Sequence, residues 1–132
     1  MSSIFTRIIK GEIPCYKVAE SENCIAFLDI NPLAKGHTLI VPKKEIDYLF
    51  DLDDELYSSL FLFSKKIAQG IKNTIPCLRV AVVVIGTEVP HAHIHLIPLN
   101  HMGDVNFSNP KLKLSTEEFK KIASEIAFAI DK

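Results

Sequence analysis

The stretch His91-Ala92-His93-Ile94-His95-Leu96-Ile97-Pro98 decides the reading of this chain. Imidazoles alternate with apolar side chains, which is the period of a β-strand whose successive residues point to opposite faces. A strand over 91–97 puts His91, His93 and His95 on one face, ~6.6 Å apart along it, with Ala92, Ile94 and Leu96 on the other. Three of the chain's five histidines fall within this run. Imidazole titrates near neutrality, at ~6.5, so one ring can act as nucleophile while its neighbours donate. A neutral imidazole can attack phosphorus and form a phosphoramidate that water then hydrolyses. The flanking rings would hydrogen-bond the non-bridging oxygens or protonate the leaving group. The middle residue, His93, has a donor on each side. Two other readings stand beside this one: polar residues merely tolerated on a strand, or a metal site in which His-x-His gives two ligands and His37 a third.

Outward from this run, residues 4–13 read as a short helix closed by Gly11 and stopped by Pro14. Residues 16–19 and 24–30 read as two strands about a polar turn at Ser21-Glu22-Asn23, and 37–41 as a third that ends at Pro42. Leu56, Leu60, Phe63, Ile67 and Ile71 form the stripe of a long amphipathic helix, with Asp51, Asp53 and Asp54 at its start to cap it and face its dipole. The β-branched run 79–85 reads as a central strand, and Gly86 to Pro90 joins it to the histidine strand. Residues 100–114 are the least regular, a candidate flexible loop near the site that carries a surface His101. Ser115 and Glu118 make a capping box for a last helix with Phe119, Ile122, Ala123, Ile126 and Ile130 on one face. This order, with short connections, predicts an antiparallel sheet with helices on it, an α+β fold.

A length of 132 residues with 48% apolar content predicts one domain, 1–132, with a substantial core. Fifteen basic against 16 acidic residues leave a net charge of −1, which disfavours nucleic-acid binding while permitting a pocket for one nucleotide. Cys15, Cys24 and Cys77 form no C-x-x-C, so neither a disulfide framework nor a cysteine zinc site is expected. No membrane-spanning run and no signal pattern stand out, and the expected compartment is the cytoplasm.

The histidine run resembles the signature of the histidine-triad (HIT) family of nucleotide hydrolases and transferases. Three further segments resemble that family in order: Ser3-Ile4-Phe5-Thr6-Arg7-Ile8-Ile9-Lys10-Gly11-Glu12-Ile13-Pro14, Ala26-Phe27-Leu28-Asp29-Ile30-Asn31-Pro32, and Gly36-His37-Thr38-Leu39-Ile40-Val41-Pro42-Lys43. The resemblance implies a HIT-like fold, with a five-stranded antiparallel sheet, one long central helix and a C-terminal helix. It also implies a homodimer with a continuous sheet. His93 would be the nucleophile, and His91 would hold its ring through the backbone carbonyl. His95 and His37 would contact the phosphate or support the triad. Asp29 would bind the ribose hydroxyls, and Phe5, Ile8, Phe27 and Ile30 would wall a purine slot. Thr87, Glu88 and Val89 would lie beside the nucleotide.

No metal or cofactor is needed for the implied reaction, hydrolysis of a purine nucleoside phosphoramidate or related ester. Cleavage of dinucleoside polyphosphates, or nucleotide binding with vestigial activity, are the alternatives. The chain departs from the family in two places. Residues 84–90 lack the Asn and the Gly-Gln-Ser-type segment that many members carry before the triad. There Thr87 can donate, whereas Glu88 either repels a phosphate or selects a cationic leaving group. The cysteines of the zinc-binding branch are also missing, since Ser2-Ser3-Ile4-Phe5 stands in their place.

Overall fold

The computed structural model describes residues 2–130. Its strands form one antiparallel sheet of β1 (Lys17–Glu20), β2 (Cys24–Leu28), β3 (Thr38–Pro42), β4 (Arg79–Val83) and β5 (Ile94–Leu99), in the order β1-β2-β3-β5-β4. The helices are α1 (Ile4–Ile9), α2 (Asp54–Thr74) and α3 (Thr116–Ile130). This is the α+β architecture expected.

Strand alternation assigns side chains to two cores. Cys24, Ala26, Leu28, Ile40, Ile94 and Leu96 point to α2 and α3 and pack with Leu60, Ile67, Ile71, Phe119, Ile122 and Ile126. Their neighbours Ile25, Phe27, Leu39 and Val41 point the other way and pack with Phe5 of α1. Because α1 is only six residues long, it covers part of this second face and leaves a cleft beside itself. The long helix starts as the acidic cluster predicted, with the Asp53 carboxylate accepting the Leu56 N–H at 2.8 Å. The Ser115–Glu118 box is formed in both directions: Ser115 Oγ accepts from the Glu118 N–H, and Glu118 accepts from the Ser115 N–H, each at 3.1 Å.

Several expectations are corrected. The helix over 4–13 ends at Ile9, because the chain turns through Lys10 to Gly11, whose φ is +79°. In the run 79–85 only Arg79–Val83 is strand, at the edge of the sheet and not central, and Val82, Val84 and Ile85 are exposed. Its continuous apolarity therefore reflects an apolar edge rather than cover on both faces. The strand expected over 91–97 begins only at Ile94. β3 pairs Leu39 with His95 and Ile40 with Ile94. Two residues on, it reaches Pro42, which has no N–H to continue a ladder. Ala92 instead donates to the Ile46 carbonyl at 2.7 Å, and the His91 N–H turns back to Val89 O at 2.8 Å. His91 and His93 thus stand on a non-strand approach to β5. The irregular stretch 100–114 contains a 3₁₀ turn at Met102–Val105 and is tied down by the Leu112 N–H on Pro32 O at 2.9 Å.

Candidate active site

The cleft beside α1 has a volume of about 510 Å³. Phe5, Ile8 and Phe27 form its apolar wall, and Asp29 and Ile30 its rim, with Ile30 65% exposed. Thr87, Glu88 and Val89 form the opposite lip, and His93 and His95 line it too. Every residue expected at the site comes together here except His91 and His37, which lie buried behind the lining rings. Although His91 and His93 precede the strand, all three triad rings stay on the α1 side. The Phe5 ring meets His91 and His93 edge-on at 5.8 and 4.9 Å, and His93 lies 5.0 Å from His95.

Hydrogen bonds to fixed backbone groups decide where each imidazole carries its hydrogen. Burial lowers the pKa of all four rings, His37 to about 3 and His95 to about 4, so each is neutral near pH 7 with one N–H and one lone pair. His91 Nε2 lies 2.7 Å from the Pro42 carbonyl, which only accepts, so Nε2 holds the hydrogen. His91 Nδ1 is therefore a lone pair and accepts from the Ser3 hydroxyl at 2.8 Å. His93 Nδ1 donates to the His91 carbonyl at 2.8 Å, which leaves its Nε2 as a bare lone pair. On the other side, the Leu33 N–H points at His37 Nδ1 at 3.0 Å, so His37 Nε2 is the donor. It gives its hydrogen to His95 Nδ1 at 3.0 Å, and His95 Nε2 must then be an N–H.

Among the described residues no buried side-chain nitrogen or oxygen lacks a partner. The two nitrogens that no protein group engages, Nε2 of His93 and of His95, are consequently the ones open to the cleft. One presents a lone pair and the other a hydrogen. The His91 carbonyl, Asp29 and Glu88 all raise the basicity of His93 against the dominant effect of burial. Burial raises the pKa of Asp29, while the Asn31 N–H on its Oδ1 at 2.9 Å pulls it back down.

Asp29, His37 and His95 also bring one potential metal ligand each within 4.8 Å of one another. Their donor set is nevertheless committed to hydrogen bonding. To ligate through Nε2, His37 would have to move its hydrogen to Nδ1, where the Leu33 N–H already points.

The residues behind His91 and over His95 were not found by the sequence reading. Ser3 is the N-cap of α1, Thr6 lies within that helix, and Glu45 follows β3. The Glu45 carboxylate accepts the Ser3 N–H at 2.8 Å and also the Thr6 hydroxyl, while the Thr6 N–H caps the helix on Ser3 Oγ at 3.0 Å. Phe107 lays its ring against His95 at 4.9 Å and His37 at 6.2 Å. A lone Glu and a Phe in an irregular segment carry no periodic signal. Only the S-x-x-T spacing at 3–6 hinted at a helix start.

Comparison with known proteins bears on the family and the fold. The family model of the HIT domain matches residues 10–102. The chain belongs to the HIT family. An adenosine 5′-monophosphoramidase of Schizosaccharomyces pombe is 36% identical over 98% of this chain and 99% of its own length. An uncharacterized HIT-like protein of Borreliella burgdorferi is 36% identical over 96% of this chain and 97% of its own. Among solved structures, a HIT-like protein from Bartonella henselae, described as involved in cell-cycle regulation, superposes with a TM-score of 0.85 at 32% identity. That superposition covers 97% of this chain and 96% of the other.

Proposed function

We propose that this HIT-family chain hydrolyses purine nucleoside 5′-phosphoramidates. The observation that carries the proposal is the bare lone pair on His93 Nε2 at the cleft, held there by the Nδ1–H bond to the His91 carbonyl. In this reading the base slides between Phe5, Ile8, Phe27 and Ile30, and Asp29 accepts from the ribose hydroxyls. His95 Nε2–H meets a non-bridging phosphoryl oxygen, where a preorganised donor stabilises developing charge.

His93 Nε2 forms a bond to phosphorus as the phosphorus–nitrogen bond of the substrate breaks. The ring becomes cationic and keeps its Nδ1–H on the His91 carbonyl, with Asp29 and Glu88 nearby to stabilise that charge. The leaving amine takes a proton from solvent as its bond to phosphorus breaks. A water then adds its hydroxide to phosphorus and returns its proton to solvent, which frees His93 and releases the nucleoside monophosphate. The name of the fission-yeast relative supports the substrate class. Glu88 on the lip favours an amine leaving group over the polyanionic one of a dinucleoside polyphosphate.

A fluorogenic adenosine phosphoramidate tests this. His93→Ala should lower kcat by about a hundredfold or more. Equal rates for parent and variant would sink the enzyme reading.

We further propose a homodimer paired through β4. Its exposed edge carries Val82, and an apolar groove lined by Phe61, Ala68, Val80 and Leu96 runs beside it. Three free cysteines suit a reducing compartment, and we place the protein in the cytoplasm.

A further inference from the structure

Beneath the cleft a single hydrogen is shared between two claimants. His37 Nδ1 is held as an acceptor by the Leu33 N–H, so the one hydrogen of this ring sits on Nε2. That hydrogen faces His95 Nδ1 at 3.0 Å and Asp29 Oδ2 at 3.5 Å. The other oxygen of Asp29 is already engaged by the Asn31 N–H. When the hydrogen goes to His95, that ring must carry its own hydrogen on Nε2 and present a donor to the cleft. When it leans to Asp29, His95 Nδ1 loses its partner. The ring can then exchange tautomers and turn a lone pair towards the anion it should bind. Any donor that occupies Asp29 Oδ2 removes the competing acceptor and returns the hydrogen to His95.

With Asp29 taken as the sugar-binding carboxylate proposed above, we propose that His37 is a positioning residue through which a bound sugar diol fixes His95 as a hydrogen-bond donor to the phosphoryl group. The diol would then be read in the chemical step and not in binding alone. His37 is suited to this because it touches both groups from beneath. It is 1% exposed, and the Phe107 ring lies edge-on to it at 6.2 Å while also packing on His95 at 4.9 Å.

The test compares steady-state hydrolysis of adenosine 5′-phosphoramidate with that of its 2′,3′-dideoxy counterpart, by the parent and by His37→Phe. In the parent the dideoxy substrate should show a raised KM and a kcat lower by about threefold to tenfold, the net worth of one hydrogen bond. In His37→Phe the KM difference should persist, because Asp29 is intact, while the kcat difference disappears. A kcat ratio unchanged by the substitution overturns the proposal.

A second measurement needs neither turnover nor a folded variant. Imidazole ¹⁵N shifts of the parent are followed as adenosine 5′-monophosphate or its dideoxy analogue is added. The ribonucleotide alone should drive His95 towards the Nε2–H form, and equal shifts from both nucleotides overturn the proposal. Absence of hydrolysis by the parent, with the ¹⁵N response present, would count against the phosphoramidase reading and leave the coupling standing.

Discussion

Lowering the pH should unfold this protein in a window set by two buried rings. His37 and His95 are 1% and 8% exposed, and burial holds them at about 3 and about 4, against ~6.5 in an unfolded chain. Their folded pKa values are depressed, so the unfolded chain binds protons first. Stability is full above ~6.5 and falls as the pH drops towards the folded values. From about pH 7.5 to pH 5, each ring forgoes roughly 1.5 pH units at ~1.4 kcal/mol per unit, or about 2 kcal/mol. One hydrogen bond links the two rings, so the pair is worth between about 2 and 4 kcal/mol.

His91 and His93 shift in the same direction and add to the loss. Asp29, with its raised pKa, opposes it, while the lowered carboxylates Glu20, Glu45, Asp104 and Glu118 act only below their usual range. Urea denaturation followed by circular dichroism at a series of pH values measures the effect. The midpoint should be flat above neutrality and decline below ~6.5, with a shallower decline in His37→Phe. A midpoint flat to pH 5, or a decline untouched by His37→Phe, would refute the assignment of these rings as buried and neutral.

Other perturbations follow from the same contacts. Ser3→Ala removes the hydroxyl that serves both His91 Nδ1 and the Thr6 N–H, and should cost about 1–3 kcal/mol in a thermal melt; an unshifted melting temperature would show that the network is idle. Glu88→Gln should narrow the kcat/KM advantage of cationic over neutral amine leaving groups, and an unaltered preference would remove Glu88 from the specificity argument. Val82→Glu places a charge on the exposed edge of β4 and should shift a dimer to monomer in sedimentation analysis; a monomeric parent would retire the dimer proposal.

The sequence revealed more of the sheet than of the site's underside. The polar turn at Ser21-Glu22-Asn23 and the stop at Pro42 bounded β2 and β3, and the periodic stripe of α2 and the capping box of α3 located both long helices. These signals are local and repeat. The mistaken centrality of β4 arose because composition reports apolarity without saying what covers it. The start of β5 was misplaced because His-x-His-x-His keeps a strand's period after pairing has stopped, and the stop is set by Pro42, some fifty residues earlier in the chain. The lining residues were legible because the family resemblance named them. Glu45, Ser3, Thr6 and Phe107 were not, since their partners lie far away in sequence and no spacing encodes such meetings.

The brevity of α1 has one more consequence. Its six residues are too few to be stable alone, and they hold on chiefly through Phe5, Ser3 and Glu45. Peeling this segment away would leave the sheet, α2 and α3 paired as before, yet strip the edge of Phe5 from His93 and the hydroxyl of Ser3 from His91. The ground below the reactive ring thus rests on a short segment that can open without the sheet. On gentle heating, catalytic competence should vanish while the hydrogen-exchange protection of β2, β3 and β5 remains.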